Sequence, residues 1–334
     1  MWVFGSGFAG ADSAGDGAMA REGTGSVMET LRIARWPGVQ RAPLSAGSEA
    51  IMRVGFVGAG LMGAPMVRRL VEAGHDVTVA SRDPARLAGT GWRVVGSPAE
   101  AAAGAEVVCS IVPDGPEVGA VVGSVLETAA AGTVIVEMST ISPTTAKELA
   151  ATCAKAGVDY LDCPVSGGPP GAEAGTLAIW VGGAAEALER ARPVLEVIGR
   201  ADRLRHCGAV GAGLAVKLAN NFLGAVNAAA SAEALALARE AGVDPHLVVE
   251  AVSDGTGANW QLANLFPRKV LQGDFEPGFR ITHMAKDLRI AAEVAGELGL
   301  DLPELALARA RLDEAMARFG DDRDYGAVAR LIGW

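Results

Sequence analysis

Gly213, Lys217 and Asn221 stand four residues apart within Gly211-Ala212-Gly213-Leu214-Ala215-Val216-Lys217-Leu218-Ala219-Asn220-Asn221. On a helix that spacing stacks them along one face. The face would combine a small residue that leaves room for a ligand, an amine that can carry a proton and an amide that can aim either. Two other stretches could do chemistry. Gly58-Ala59-Gly60-Leu61-Met62-Gly63 is a GxGxxG run whose bare backbone can approach a pyrophosphate. Ser166-Gly167-Gly168 offers a hydroxyl and unobstructed N–H groups, which suit a carboxylate. A helical lysine is most often a solvated surface charge and a Gly-rich turn most often only a turn. The surrounding elements decide between these readings.

The lysine lies in Ala209 to Ala241, a proline-free run rich in Ala and Leu that reads as one long helix. The GxGxxG run follows Arg53 to Val57, a buried-strand pattern. It precedes a helix from Ala64 to Ala73 and a second strand from Asp76 to Ser81. Strand, glycine run, helix and strand within roughly 30 residues make a dinucleotide-binding unit. The first glycine makes the turn, the second admits the pyrophosphate and the third lets helix and strand pack. An NAD enzyme places Asp or Glu at the end of the second strand to hold the ribose 2′-hydroxyl. Here Ser81 stands at that place and Arg82 follows, a pair suited to a 2′-phosphate, so NADP is expected ahead of NAD. Asp83, before Pro84, reads as a helix N-cap.

The alternation continues. Glu106 to Val112 and Thr133 to Met138 read as strands, the first ending at Pro113-Asp114 and the second at Ser139-Thr140-Ile141-Ser142-Pro143, where a helix starts. Ligands sit at the carboxyl ends of parallel strands, so Val112, Pro113 and Thr140 are expected near the cofactor's ribose and nicotinamide. Asp159 to Val165 reads as a further strand leading into the Ser166 turn. Thr176 to Val181, a helix from Ala184 to Val197 and a short strand from Arg203 to His206 follow. After the long helix the chain reads as helical: Asp244 to Val252, Trp260 to Leu271, Thr282 to Leu298 and Pro303 to Phe319, with a loop at Asp254 to Gly257. Lys286 lies near the start of the third of these and could reach back to the cofactor. The fold class is therefore α/β: a Rossmann domain over 51–208, then an all-helical domain over 209–334 that begins with the long helix.

The 334 residues suffice for two domains. The net charge of −10 argues against nucleic acid as the main partner. Mean hydropathy is +0.27, yet no run of about 18 apolar residues is free of charged or amide side chains, so no membrane span is expected. Cys109, Cys153, Cys163 and Cys207 lack CxxC spacing and read as free thiols in a reducing cytosol. His75, His206, His246 and His283 form no metal-binding pattern, and no metal is expected. Residues 1–50 are rich in Gly, Ala and Ser and lack periodicity. They read as a disordered extension, with translation from Met52 as the alternative.

Four blocks in this order, Gly55 to Gly63, Asp162 to Gly168, Gly211 to Asn221 and Lys286 to Leu288, resemble the β-hydroxyacid dehydrogenase family. That family includes 3-hydroxyisobutyrate dehydrogenase and 2-hydroxy-3-oxopropionate reductase. The resemblance spans about residue 52 to about 330. It implies that Lys217 is the catalytic lysine and Asn221 the amide one turn on. It implies that Ser166, Gly167 and Gly168 hold the substrate carboxylate, and that Phe279 and Asp287 line the substrate pocket. It places Val112, Pro113, Thr140 and Lys286 against the cofactor. The implied reaction moves a hydride between the nicotinamide and a short β-hydroxyacid, with Lys217 as general acid/base. A homodimer or homotetramer is implied as well. The alternatives are a reductase of tartronate or succinic semialdehyde, an imine reductase and a non-catalytic cofactor-binding protein. Lys217 argues against the last two, and the helical part is too short for 6-phosphogluconate dehydrogenase. Trp180, Trp260 and Gln261 read either as pocket walls or as core.

Overall fold

The computed structural model describes residues 51–334; the extension over 1–50 lies outside the described residues. Arg53–Val57 (β1), Gly63–Glu72 (α1) and Asp76–Ala80 (β2) form the opening strand, helix, strand unit. Arg93–Val95 (β3), Pro98–Ala102 (α2), Val107–Ser110 (β4), Gly115–Val125 (α3), Val134–Glu137 (β5), Pro143–Lys155 (α4) and Asp159–Asp162 (β6) continue the alternation. The six strands run parallel in the order β3-β2-β1-β4-β5-β6. Every residue of β4 and β5 is buried, as in strands covered on both faces. Met66 and Leu70 of α1 pack with Phe56, Val79 and Val136 on one face. Val118, Val122 and Cys153 of α3 and α4 pack with Val108 and Ile135 on the other. This is a Rossmann sheet.

Val165–Ser166 (β7), Gly168–Ala174 (α5), Leu177–Gly182 (β8), Ala185–Ile198 (α6) and Gly199–Gly208 (β9) widen the sheet. β8 runs antiparallel to β6 and β7 and parallel to β9. The rest is helical: Ala212–Glu240 (α7), Pro245–Ser253 (α8), Phe266–Arg268 (α9), Ile281–Glu297 (α10) and Pro303–Phe319 (α11). Ala side chains lose no rotamer freedom, which favours the 29-residue α7. It ends before Gly242 at φ +84°, a left-handed stop. Ala225, Ala228 and Leu235 of α7 bury against Leu288 of α10 and Leu312 of α11, while its first turn packs on the sheet.

Four expectations are corrected. The strand expected over 159–165 breaks at Cys163-Pro164, because proline cannot donate to the ladder, and Val165 and Ser166 pair instead with Ile179 and Ala178. The helix expected over 260–271 is a π turn at Gln261–Leu265, the three-residue α9 and a 3-10 turn at Val270–Gln272. Pro267 removes an N–H in its midst. The short strand expected over 203–206 extends across Gly199–Gly208. Asp83 occupies the N-cap position of a 3-10 turn at Pro84–Leu87, but its side chain makes no capping bond. A closing 3-10 segment, Tyr325–Ile332, was not anticipated. Among the described residues no helix is long and apolar enough to cross a membrane, and no group of His, Cys, Asp or Glu could hold a metal ion.

Candidate active site

Lys217 is buried on α7, with a relative exposure of 7%. Its Nζ donates to the Val165 carbonyl at 3.0 Å and stands 5.8 Å from the centre of the Phe279 ring. Val165 directly precedes the Ser166 turn. One strand end therefore carries both the acceptor for the lysine and the turn expected to take a carboxylate. Gly167 (φ +137°) and Gly168 (φ +62°) make that turn, and a Cβ on Gly167 would lie 3.1 Å from Leu177 Cδ2. Burial lowers the pKa of Lys217 from its ordinary value; the neighbouring Lys286 lowers it further and Asp287 opposes both.

One turn beyond Lys217, Asn221 Nδ2 donates to Asp287 Oδ2 at 2.5 Å, and Asn221 Oδ1 accepts from Asn220 at 2.9 Å. The amide thus ties α7 to α10 rather than aiming the lysine directly. Asp287 Oδ1 lies 3.2 Å from Lys286 Nζ, an ion pair without a directed hydrogen bond. Lys286 Nζ donates to the carbonyls of Thr140 (2.6 Å) and Pro113 (3.2 Å) at the ends of β5 and β4. Val112, Pro113, Thr140 and Lys286, chosen from separate parts of the sequence, come together here.

The dinucleotide run fits its expected ligand. A Cβ on Gly58 (φ +98°) would lie 2.1 Å from the Ile111 carbonyl, and one on Gly63 would lie 2.0 Å from the Gly58 carbonyl. Gly60 has nothing within 4 Å of such a Cβ, which leaves an open cradle before α1. Leu61 is exposed beside it, while Ala59 and Met62 pack against the core cluster under the sheet. At the end of β2, the Ser81 hydroxyl donates to the Asp83 carbonyl at 2.9 Å. Arg82 is exposed and no acid takes the ribose position.

One sequence reading is overturned. Gly213 does not leave room for a ligand: a Cβ there would lie 2.3 Å from the Trp180 carbonyl and 2.9 Å from Asp162 Oδ2. Its smallness lets α7 approach the sheet. Trp180 contributes that backbone contact, Trp260 is exposed, and a Cβ on Gly224 would meet Gln261 Nε2 at 3.3 Å.

Three buried carboxyl groups escaped the sequence reading. Asp162 and Glu137 lie in stretches that the sequence pattern makes strands, and Asp324 lies beyond the last expected helix. Asp162 accepts from the N–H groups of Gly211 (2.7 Å) and Leu214 (2.9 Å). Glu137 Oε1 accepts from the Ser139 N–H at 2.8 Å, and the Ser139 hydroxyl accepts from the Val112 N–H at 2.8 Å. Asp324 Oδ2 accepts from Gly278 and Phe279, which fixes the Phe279 ring beside Lys217. For Glu137 and Asp162 the signal available was an acid at the last position of a largely buried strand.

Comparison with known proteins gives the family. Residues 53–213 match the model of the NAD binding domain of 6-phosphogluconate dehydrogenase. Residues 211–332 match that of NAD-binding of NADP-dependent 3-hydroxyisobutyrate dehydrogenase. The solved structure of Mycobacterium tuberculosis 3-hydroxyisobutyrate dehydrogenase with L-serine is 36% identical, with a TM-score of 0.79 over 85% of this chain and 100% of that one. The 2-(hydroxymethyl)glutarate dehydrogenase of Eubacterium barkeri is 36% identical over 85% of this chain and 95% of its own length. The 2-hydroxy-3-oxopropionate reductase of Escherichia coli is 34% identical over 84% and 97%. The chain belongs to the β-hydroxyacid dehydrogenase family, NAD(P)-dependent oxidoreductases that act on the hydroxyl of short hydroxyacids.

Proposed function

We propose that the chain interconverts a short, 3-hydroxyisobutyrate-like β-hydroxyacid and its semialdehyde, with NADP(H) preferred and Lys217 as general acid/base. The observation that carries this reading is the bond from Lys217 to the Val165 carbonyl, one residue before the Ser166 turn. A carboxylate on Ser166, Gly167 and Gly168 and a hydroxyl against Lys217 Nζ would then lie a short carbon chain apart. A bound nicotinamide dinucleotide, held by Gly58 to Gly63, Ser81, Arg82, Val112, Pro113, Thr140 and Lys286, supplies the two-electron redox chemistry.

The residues of the chain do the rest. In oxidation a neutral Lys217 takes the hydroxyl proton; the Val165 carbonyl occupies one N–H and leaves the lone pair for the substrate. In reduction the ammonium donates that proton to the carbonyl oxygen. A free lysine is a poor base near neutrality, and burial brings this one closer to working pH. The oxidative rate should therefore rise with pH through a value below 10.5, and the reductive rate should fall through it. Phe279 shields the amine from water, and Asp287 holds Asn221 and so the second turn of the site. The four unpaired cysteines support a reducing, cytoplasmic setting. Exposed Leu223 and Leu237 on α7 support self-association as a homodimer or homotetramer.

The test is initial-rate turnover of wild type and Lys217→Ala with NADP⁺ and NAD⁺. The panel holds 3-hydroxyisobutyrate, glycerate, serine, threonate and 3-hydroxypropionate, with tartronate and succinic semialdehydes in reverse. One substrate should dominate with NADP⁺, and Lys217→Ala should bind cofactor yet lose about 10²-fold or more in turnover. Wild-type turnover in Lys217→Ala would sink the mechanism.

A further inference from the structure

We propose that Asp162 is a positioning residue for this reaction: from the sheet it supplies the cap that α7 lacks and so fixes Lys217 against the Ser166 turn. The inference rests on the reading of Lys217 as the acid/base.

A helix leaves its first N–H groups unpaired, and the residue before it commonly accepts one of them with a side-chain oxygen. The residue before α7 is Gly211, at φ +94°, which has no side chain. Its own N–H and that of Leu214 go instead to the two oxygens of Asp162, at 2.7 and 2.9 Å. Asp162 is fully buried at the end of β6, 49 and 52 residues away in sequence. A carboxylate there also faces the positive end of the helix dipole.

Two glycines make room for this arrangement. A Cβ on Gly182, the residue opposite Asp162, would lie 2.3 Å from Asp162 Oδ1. A Cβ on Gly213 would lie 2.9 Å from Asp162 Oδ2. Three residues after Asp162, the Val165 carbonyl takes Lys217 Nζ. The stretch Asp162-Cys163-Pro164-Val165 thus grips α7 at its first turn and again at Lys217, and the next residue is Ser166. Lys217 is three residues past Leu214, so any shift of the first turn is carried directly to the amine.

The variant to make is Asp162→Asn. Its amide keeps the shape, but one oxygen can accept only one of the two N–H groups well, and the NH₂ faces the other. Displacement of a reacting group by about 1 Å can cost on the order of 10²-fold. Turnover per cofactor-binding site should fall by about that much, with cofactor affinity within about twofold of wild type. The pH limb of oxidation should move upward, because a displaced Lys217 gains water and so loses part of the burial that lowers its pKa. The charged groups acting on Lys217, Asp287 and Lys286 of α10, are left in place. A purely structural loss would lower the melting temperature and leave that limb where it was.

Lys217→Ala is measured beside it. Wild-type turnover and pH profile in folded Asp162→Asn, with Lys217→Ala inactive, overturn the role of Asp162 alone. An active Lys217→Ala overturns the acid/base reading and this inference with it. Where Asp162→Asn does not fold, Gly182→Ala, whose methyl displaces the carboxylate, is read by the same criteria. Amide exchange in the wild type gives a third measurement: the Gly211 and Leu214 amides should be protected far beyond a usual first turn, and free exchange would overturn the cap.

Discussion

At the scale of single residues, cofactor choice turns on the end of β2. Ser81 spends its hydroxyl on the Asp83 carbonyl, and Asp83 spends its own N–H on the Ser81 oxygen at 3.2 Å. That closed turn holds Arg82 outward, without an ion-pair partner among the described residues. A guanidinium so placed can meet a 2′-phosphate bidentately, and a charge-assisted pair of that kind contributes roughly 1.5–3 kcal/mol. Arg82→Ala should therefore raise the KM for NADP⁺ by about tenfold or more and leave that for NAD⁺ within about twofold. Steady-state kinetics with both cofactors checks it. Equal losses would remove Arg82 from the phosphate site.

At the scale of elements, the strand ends form a polar row across the buried sheet. Ser110 of β4, Glu137 of β5 and Asp162 of β6 are in register. Glu137 Oε2 and the Ser110 hydroxyl are buried without a directed partner. Burial pushes the Glu137 carboxyl up to about 7, although the bond from the Ser139 N–H pulls it back part of the way. Unfolded, the same group titrates near 4.5. The folded state keeps its proton where the unfolded chain has released it, so stability falls as pH rises from about 4.5 to about 7 and stays at the lower level above. Glu137→Gln removes that slope. It should stabilise the protein little at pH 5 and by about 3 kcal/mol at pH 8. Denaturant unfolding at both values measures the difference, and a gain independent of pH would contradict it. The alternation of strand and helix was legible because strands buried on both faces read as continuous apolar runs, as Val107 and Val134 do. The carboxylate row was not, because alternation says which residues form a strand and not which polar end stays dry. Local spacing placed Lys217 and Asn221 on one face of α7, and their roles, like that of the Ser166 turn, came from the family resemblance. The Asn221–Asp287 bond joins residues 66 apart, and only the packing of α10 on α7 makes it.

At the scale of the molecule, α10 joins the helical part to the sheet at a second place, beside the first turns of α7. Two adjacent side chains of α10 point in opposite directions: Lys286 reaches the carbonyls at the ends of β4 and β5, and Asp287 accepts from Asn221 on α7, within the helical part. Arg289 with Asp114, at 3.0 Å, and Thr144 with Glu297, at 2.8 Å, span the same gap. The magnitudes separate these links. Arg289 and Asp114 keep 44% and 34% of their side-chain surface exposed, and such pairs contribute roughly 0–1 kcal/mol. The Lys286 side chain is only 18% exposed, and hydrogen bonds from a charged donor contribute roughly 1.5–3 kcal/mol. Lys286 therefore holds α10 over the very strand ends where a dinucleotide lies in a Rossmann sheet. Its loss should free α10 from the sheet and also withdraw Asp287 from Asn221. Lys286→Ala should weaken NADPH binding by about tenfold or more, whereas Arg289→Ala should change it by less than about threefold. Fluorescence titration of NADPH into both variants decides the matter. If Arg289→Ala proved the more damaging, the exposed pair would be the link, and α10 would be held at the rim of the cleft rather than over its floor.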